Sequence, residues 1–367
     1  MSSFDIILAL LRNELWQEPL PPDMPLADFS EVIQLSREQC VSGLVANAVI
    51  SNHLPIGDDM TMRVCGIQEM HQKKNEAMDE EVALFSEFLN KRGLKYYIMK
   101  GQTLSVFYPH PLMRSCGDID FYCPPESYLQ TQRIIEERLG ITMIHDRSEI
   151  HDNFQIEGFD FEMHSALTRL SYPRHQRQWE MLAAEELNQY APTMSLHGRE
   201  ISILPPTLNA VFVFAHLMEH FVEKVLSLKQ LADWAMVLYA CRDEIDRIRL
   251  EQYLERIGLK KAFRAMGAWI VQRLGFPRDV FPLELTESDF RWVTPLDEDM
   301  LYWIVRKREM QKKKRKSGLR HSMRTAGIVA RQSFRFFSLA PLEMLWRIPD
   351  MASWSIRKRF SNKSTLN

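Results

Sequence analysis

The chain has 367 residues, 46% of them hydrophobic, with a formal net charge of −2; this is enough for a sizeable core and two or three structural units. No apolar run reaches the roughly 18 residues of a spanning helix. Five cysteines (Cys40, Cys65, Cys116, Cys123, Cys241) without a CxxC argue against a disulfide framework and predict reduced thiols in the cytoplasm. The first stretch, MSSFDIILALLRNELW, lacks a basic leader and is interrupted by Asp5, so it predicts a helix rather than a signal peptide. Phe4, Ile7, Leu8, Leu11 and Leu15 share one helical face, and Pro19 to Pro25 ends it. Helices are predicted over Phe29–Ile50 and Asp58–Arg92. The second carries an apolar face at Met78, Val82, Phe85 and Leu89 and stops at Gly93, a natural cap. Residues 1–93 thus read as an N-terminal helical unit whose last helix packs on a sheet.

Residues 94–200 change period. Tyr96–Met99 predicts a strand, Lys100-Gly101 a turn and Gln102–Tyr108 a helix whose start can present N–H groups to phosphate. A loop with Arg114 follows, then a strand carrying Asp118 and Asp120. Alternation places those two carboxylates on one face and Ile119 and Phe121 on the other, in a core. Like charges at about 5 Å and an effective dielectric of about 20 repel by roughly 3 kcal/mol. Such a pair calls for a cation or a proton, and hard oxygens on one face suit Mg²⁺, with phosphates and water completing its shell. Lys100 either aids a triphosphate or solvates the turn. Arg114 suits phosphate oxygens or pairs with a carboxylate. Cys116 and Cys123 read as small buried residues.

A helix over Pro125–Leu139 capped by Gly140, and strands over Ile141–Ile144 and Ile150–Ile156, come next. Gly158 then turns into a half-buried strand, Phe159–His164. Its polar face, Asp160, Glu162 and His164, offers a third carboxylate from either acid. The fold class is α+β: a small mixed sheet with helices on one face.

The combination Lys100-Gly101, Tyr108-Pro109, Arg114, Gly117-Asp118-Ile119-Asp120 and Glu162-Met163-His164 resembles the DNA polymerase β-like nucleotidyltransferases, and within them a largely uncharacterised bacterial subgroup. The resemblance spans roughly residues 80–240. It departs from the superfamily in having Lys-Gly for the usual Gly-Ser and a longer spacing from Gly101 to Asp118. It implies transfer of a nucleoside monophosphate from an NTP to an acceptor hydroxyl, with Mg²⁺ (or Mn²⁺) as cofactor. One metal on Asp118 and Asp120 and a second shared with Glu162 form the implied two-metal arrangement, and a carboxylate near the attacking hydroxyl can take its proton. The subgroup pattern selects Glu162 over Asp160, because it sets the acid two residues before His164. It also implies that Lys100, Gly101, Arg114 and His164 meet the nucleotide, and that a helix with His216, His220 and Asp233 lines the cleft. A binding protein of the same fold without catalysis is the alternative; Mg²⁺-dependent NTP binding separates the two.

Residues 201–305 read as a helical domain. HLMEH, His216 to His220, formally matches the H-x-x-E-H of zinc peptidases, but no third ligand is identifiable and that reading is set aside. Lys229 and Asp233 are spaced as a surface i, i+4 pair. Leu250–Leu274 reads as two helices broken near Gly258, Pro277, Pro282 and Pro295 mark loops, and Trp292, Leu296, Leu301, Trp303 and Ile304 read as packing residues.

The last part, residues 306–367, has 17 Lys and Arg against three acids, a net of +14, leaving −16 on the rest. Leu319, Met323, Ala326, Ala330, Phe334 and Phe337 recur at helical spacing beside Arg320, Arg324, Arg331 and Arg335, a cationic amphipathic helix. It reads as a separable tail, either docked by its apolar stripe or offered to nucleic acid or an anionic membrane. Removal after Tyr302 is expected to spare the nucleotide site, since the three acids lie upstream.

Overall fold

A computed structural model of the chain describes residues 1–26, 29–145, 150–223, 226–312 and 330–347, with the single residues 327 and 349. Four helices come first: α1 (Ser3–Trp16), α2 (Phe29–Glu38), α3 (Ser42–Ser51) and α4 (Asp58–Asn90). Ser2 opens α1 with a capping box, its hydroxyl accepting from the Asp5 amide while the Asp5 carboxylate accepts from Ser2. The single helix predicted over 29–50 is two. The chain breaks at Cys40, whose φ is +55°, and Gln39 then accepts the amides of Leu228 and Lys229 at 3.1 and 3.3 Å. That long-range contact is why a continuous helical pattern is interrupted. On α4 the predicted face (Met78, Val82, Phe85, Leu89) is buried against the sheet.

The next elements are β1 (Tyr97–Met99), α5 (Gly101–Ser105), β2 (Ile119–Tyr122), α6 (Pro125–Leu139), β3 (Ile144–His145), β4 (His151–Ile156) and β5 (Phe159–His164). The strands form one mixed sheet in the order β1-β2-β5-β4-β3, with β2 and β5 parallel and the other pairs antiparallel. Apart from one-residue shifts at the starts of β1, α5 and β4, three boundaries differ from expectation. Asp118 lies one residue ahead of β2 rather than in it, α5 stops three residues short of Tyr108, and β3 begins where the predicted strand ended. Alternation sends Ile98, Ile119, Phe121, Phe161 and Met163 into one core with α4 and Ile135 of α6. Tyr97, Met99 and Tyr122 point the other way, into a larger core made with the helices that follow.

Those are α7 (Pro173–Gln189), the hairpin β6 (Thr193–Leu196) and β7 (Arg199–Ser202), then α8 (Pro206–Glu223), α9 (Leu228–Ala240), α10 (Arg247–Arg256), α11 (Lys260–Leu274), α12 (Glu287–Phe290) and α13 (Val293–Lys312). The hairpin, which the sequence reading passes over, turns at His197 and Gly198 with φ of +48° and +72°, as a two-residue turn between twisted strands requires. Among the described residues, no helix is long and apolar enough to cross a membrane.

The larger core is continuous from Phe4 through Leu208 and Trp269 to Met344. The boundaries expected at 201 and 306 therefore do not separate independent cores. The tail is also rotated from its predicted phase. Phe334 is 89% exposed while Phe336, Leu339, Ala340 and Met344 are buried. Arg331 pairs with Asp299 at 2.8 Å and Arg335 with Glu298 at 2.6 Å, both on α13. Glu343 is buried and accepts from the Ser171 amide and meets His175 Nδ1 at 2.7 Å. The acidic body itself takes these tail cations. Leu319, Met323, Ala326, Arg320 and Arg324 lie outside the described residues.

Candidate active site

Asp120 and Glu162 are register partners on the parallel pair β2 and β5. Neighbours in register project to the same face, so the topology brings together two acids more than forty residues apart. Asp118 joins them from the residue ahead of β2, and one oxygen from each of the three lies within 4.8 Å of the others. Asp160 lies elsewhere, exposed and accepting from Gln155 at 2.7 Å. The group can hold a cation.

Two cationic or donor side chains already lean on this group. Lys100, at the turn between β1 and α5, places Nζ 3.1 Å from Asp120 Oδ1. His164, the last residue of β5, places Nε2 2.8 Å from the same Oδ1 and 3.4 Å from Glu162 Oε2. Burial would raise the Asp120 pKa, but the Lys100 charge and the His164 hydrogen bond outweigh it and hold the carboxyl far below its usual range. Glu162 is held low first by its hydrogen bond to His164. Asp118 goes the other way: burial, then repulsion from Asp120 and Glu162, pushes it up. A carboxylate that is hard to ionise beside two that are ionised is the electrostatic sign of a site short of positive charge.

His151, on β4 opposite His164, completes a second group with Glu162 and His164. Its Nε2 is 3.8 Å from Glu162 Oε1. The sequence analysis does not single it out; the only signal is its register with His164, which needs the β4–β5 hairpin to be paired.

Arg114 does not face this cleft. It is 1% exposed and grips Asp233 of α9 in two parallel bonds, Nε to Oδ1 at 2.7 Å and Nη2 to Oδ2 at 2.8 Å. Its Nη1 donates to the Gly101 carbonyl at 3.0 Å. Tyr108 also donates to Asp233, at 2.6 Å, and Lys229 at 3.3 Å. Of the two readings open for Arg114, it is thus the pairing with a carboxylate that the fold displays, and Arg114 with Asp233 braces the Lys100–Gly101 turn; the Lys229–Asp233 pair is buried at its acid end rather than on the surface. A fork-shaped guanidinium suits a carboxylate as well as a phosphate, and the one supplied by α9 is the nearer partner.

Arg114→Ala should lower the unfolding free energy by about 3–5 kcal/mol, the usual cost of leaving one partner of a buried pair alone. Urea denaturation measures it, and a loss under 1 kcal/mol would show that the pair holds nothing. The pH sign follows. Asp233 is held well below its usual range: burial opposes, and Arg114 and then Lys229 prevail. Its contribution is therefore full above the unfolded carboxylate value of about 3.9 and lost as pH falls below it. The variant should show a flatter acid limb.

His216 and His220 lie on α8, their Nε2 atoms 3.2 Å apart. His216 is close enough to feel the charges of Lys100 and Asp120, and burial lowers its pKa. Glu219 between them accepts from Thr168 at 2.9 Å and has its pKa pulled down to about 2: burial opposes, and His216 prevails.

Residues 25–275 match a family described as uncharacterised nucleotidyltransferase, and the chain belongs to that family. No curated protein matches it. Among solved structures, it is similar to an antigenic nucleotidyltransferase-like protein from Paracoccidioides brasiliensis, at 11% identity over 54% of this chain and 92% of that one, with a TM-score of 0.33. It is also similar to the antibiotic-resistance factor ANT(2'')-Ia, at 16% identity over 54% and 96%, TM-score 0.33. A tRNA nucleotidyltransferase complexed with a primer tRNA and an ATP analogue is similar at 13% identity over 77% and 99%, TM-score 0.21.

Proposed function

We propose that this nucleotidyltransferase is dependent on a divalent cation, Mg²⁺ or Mn²⁺, and moves a nucleoside monophosphate from an NTP to an acceptor hydroxyl with release of pyrophosphate. The convergence of Asp118, Asp120 and Glu162 carries the reading. All three donors are hard oxygens, which fits Mg²⁺. A divalent ion bound there supplies charge neutralisation to the triphosphate and to the oxygens of the displacement. Asp118 and Asp120 would hold that ion. Glu162, tied to His164 through Oε2, stands on the acceptor side, where its carboxylate takes the proton of the attacking hydroxyl.

The Lys100–Gly101 turn, held from beneath by Arg114, is the surface along which the triphosphate lies. His216 and His220 on α8 form part of the cleft wall that receives the acceptor. Five free cysteines support a reducing, cytoplasmic setting.

Glu162→Gln should abolish pyrophosphate release, and Asp160→Asn should leave it within about twofold of the parent. Asp160 has its partner in Gln155, and the register sets Glu162 opposite Asp120. The reverse outcome, loss with Asp160→Asn alone, would move the third carboxylate to Asp160. If pyrophosphate release by the parent chain itself proves independent of divalent ions, the reading fails.

A further inference from the structure

Lys100 stands where its backbone does not favour it. Its φ of +51° and ψ of −136° lie in a region that glycine enters freely and L side chains rarely do. The residue supplies something that glycine would not. What it supplies is an ammonium group, 17% exposed, against Asp120 Oδ1 at 3.1 Å.

That oxygen also meets His164 Nε2 at 2.8 Å, so Oδ1 of Asp120 has two donors. Only Oδ2 is left for an ion. In a site with two metal ions about 3.5–4 Å apart, a carboxylate that gives one oxygen to each ion needs both its oxygens.

We infer that the Lys100 ammonium holds the place of one of two cations, so that this site takes a single divalent ion. The inference rests on the proposed function above, in that it concerns the same three carboxylates. It names Lys100 as the residue that sets the number of ions. The ammonium supplies at Asp120 a fixed positive charge, which the fold carries with it rather than recruiting from solution.

Mn²⁺ titration of the full chain, followed by electron paramagnetic resonance with and without a non-hydrolysable ATP analogue, tests it. The expected result is one bound Mn²⁺ per chain and no signal from a spin-coupled pair. Lys100→Gly suits the backbone and removes the ammonium; Lys100→Met removes the charge and keeps the length. Both are expected to bind two ions and to show the coupled signal. Two coupled ions in the parent chain, or one ion in both variants, would overturn the inference and leave the proposed function standing. No bound Mn²⁺ in any of the three proteins would overturn both.

Discussion

Asp118→Asn is expected to weaken Mg²⁺-dependent nucleotide binding by more than about 100-fold, without loss of stability. The expectation joins two observations. The first is geometric: Asp118 is one of three carboxylates that can share a cation. Loss of a residue that merely supports a metal ligand typically costs about 10–100-fold in metal affinity, and loss of a ligand itself should cost more. The second is electrostatic. Asp118 is pushed toward its neutral form by burial and then by Asp120 and Glu162, so its charge opposes folding in the absence of metal. The amide removes that opposition, and the melting temperature should hold or rise slightly: the carboxyl is partly enclosed, but the residue as a whole is exposed, so solvent screens most of the repulsion.

Asp120→Asn makes the contrast. Its carboxylate is buried between Lys100 and His164, so this variant should lose both nucleotide binding and stability. Calorimetry with Mg²⁺ and non-hydrolysable NTP analogues, paired with thermal unfolding, separates the two. Undiminished Mg²⁺-dependent affinity in Asp118→Asn would remove it from the site.

Truncation after Tyr302 is expected to unfold the protein. The sequence pattern suggests the opposite, a detachable basic tail. In the fold, the cut removes Trp303, Ile304, Phe336, Leu339 and Met344, all buried. A large apolar side chain contributes about 1.5–3 kcal/mol when buried, so five of them represent roughly 8–15 kcal/mol. That is comparable with the whole stability of a typical domain, about 5–15 kcal/mol. The cut also strips Asp299 of Arg331 and Gln332, and His175 of Glu343. Circular dichroism should show no cooperative melt, and gel filtration should show aggregate. A soluble truncated chain that melts cooperatively would mean that the tail is an appendage after all.

The sequence by itself determined the elements whose logic is local. The alternation of Asp118, Asp120 and of Glu162, His164 with apolar residues marks two strands with polar faces, since the side-chain period of a strand is a property of its own backbone. The Met78–Leu89 stripe marks the buried face of α4 for the same kind of reason, and Gly140, with φ of +66°, ends α6 where a left-handed residue must stand. The α+β class and the acids themselves were readable on that basis.

Tertiary structure decided what depends on partners far away in the chain. That β2 lies beside β5, in a register setting Asp120 against Glu162 rather than Asp160, follows from how the whole sheet packs. Arg114 reads equally as a phosphate ligand or a structural cation until Asp233 arrives 119 residues later to grip it. His151 enters the site only through its pairing with His164. Phe334 and Phe336 are both apolar and two residues apart, and helical spacing chose the first. In the fold the second is buried, with Arg331 and Arg335 paired to Asp299 and Glu298 of α13. Periodicity fixes which residues share a face; the free energy of the contacts that face can make chooses between faces, and those contacts lie outside any local window.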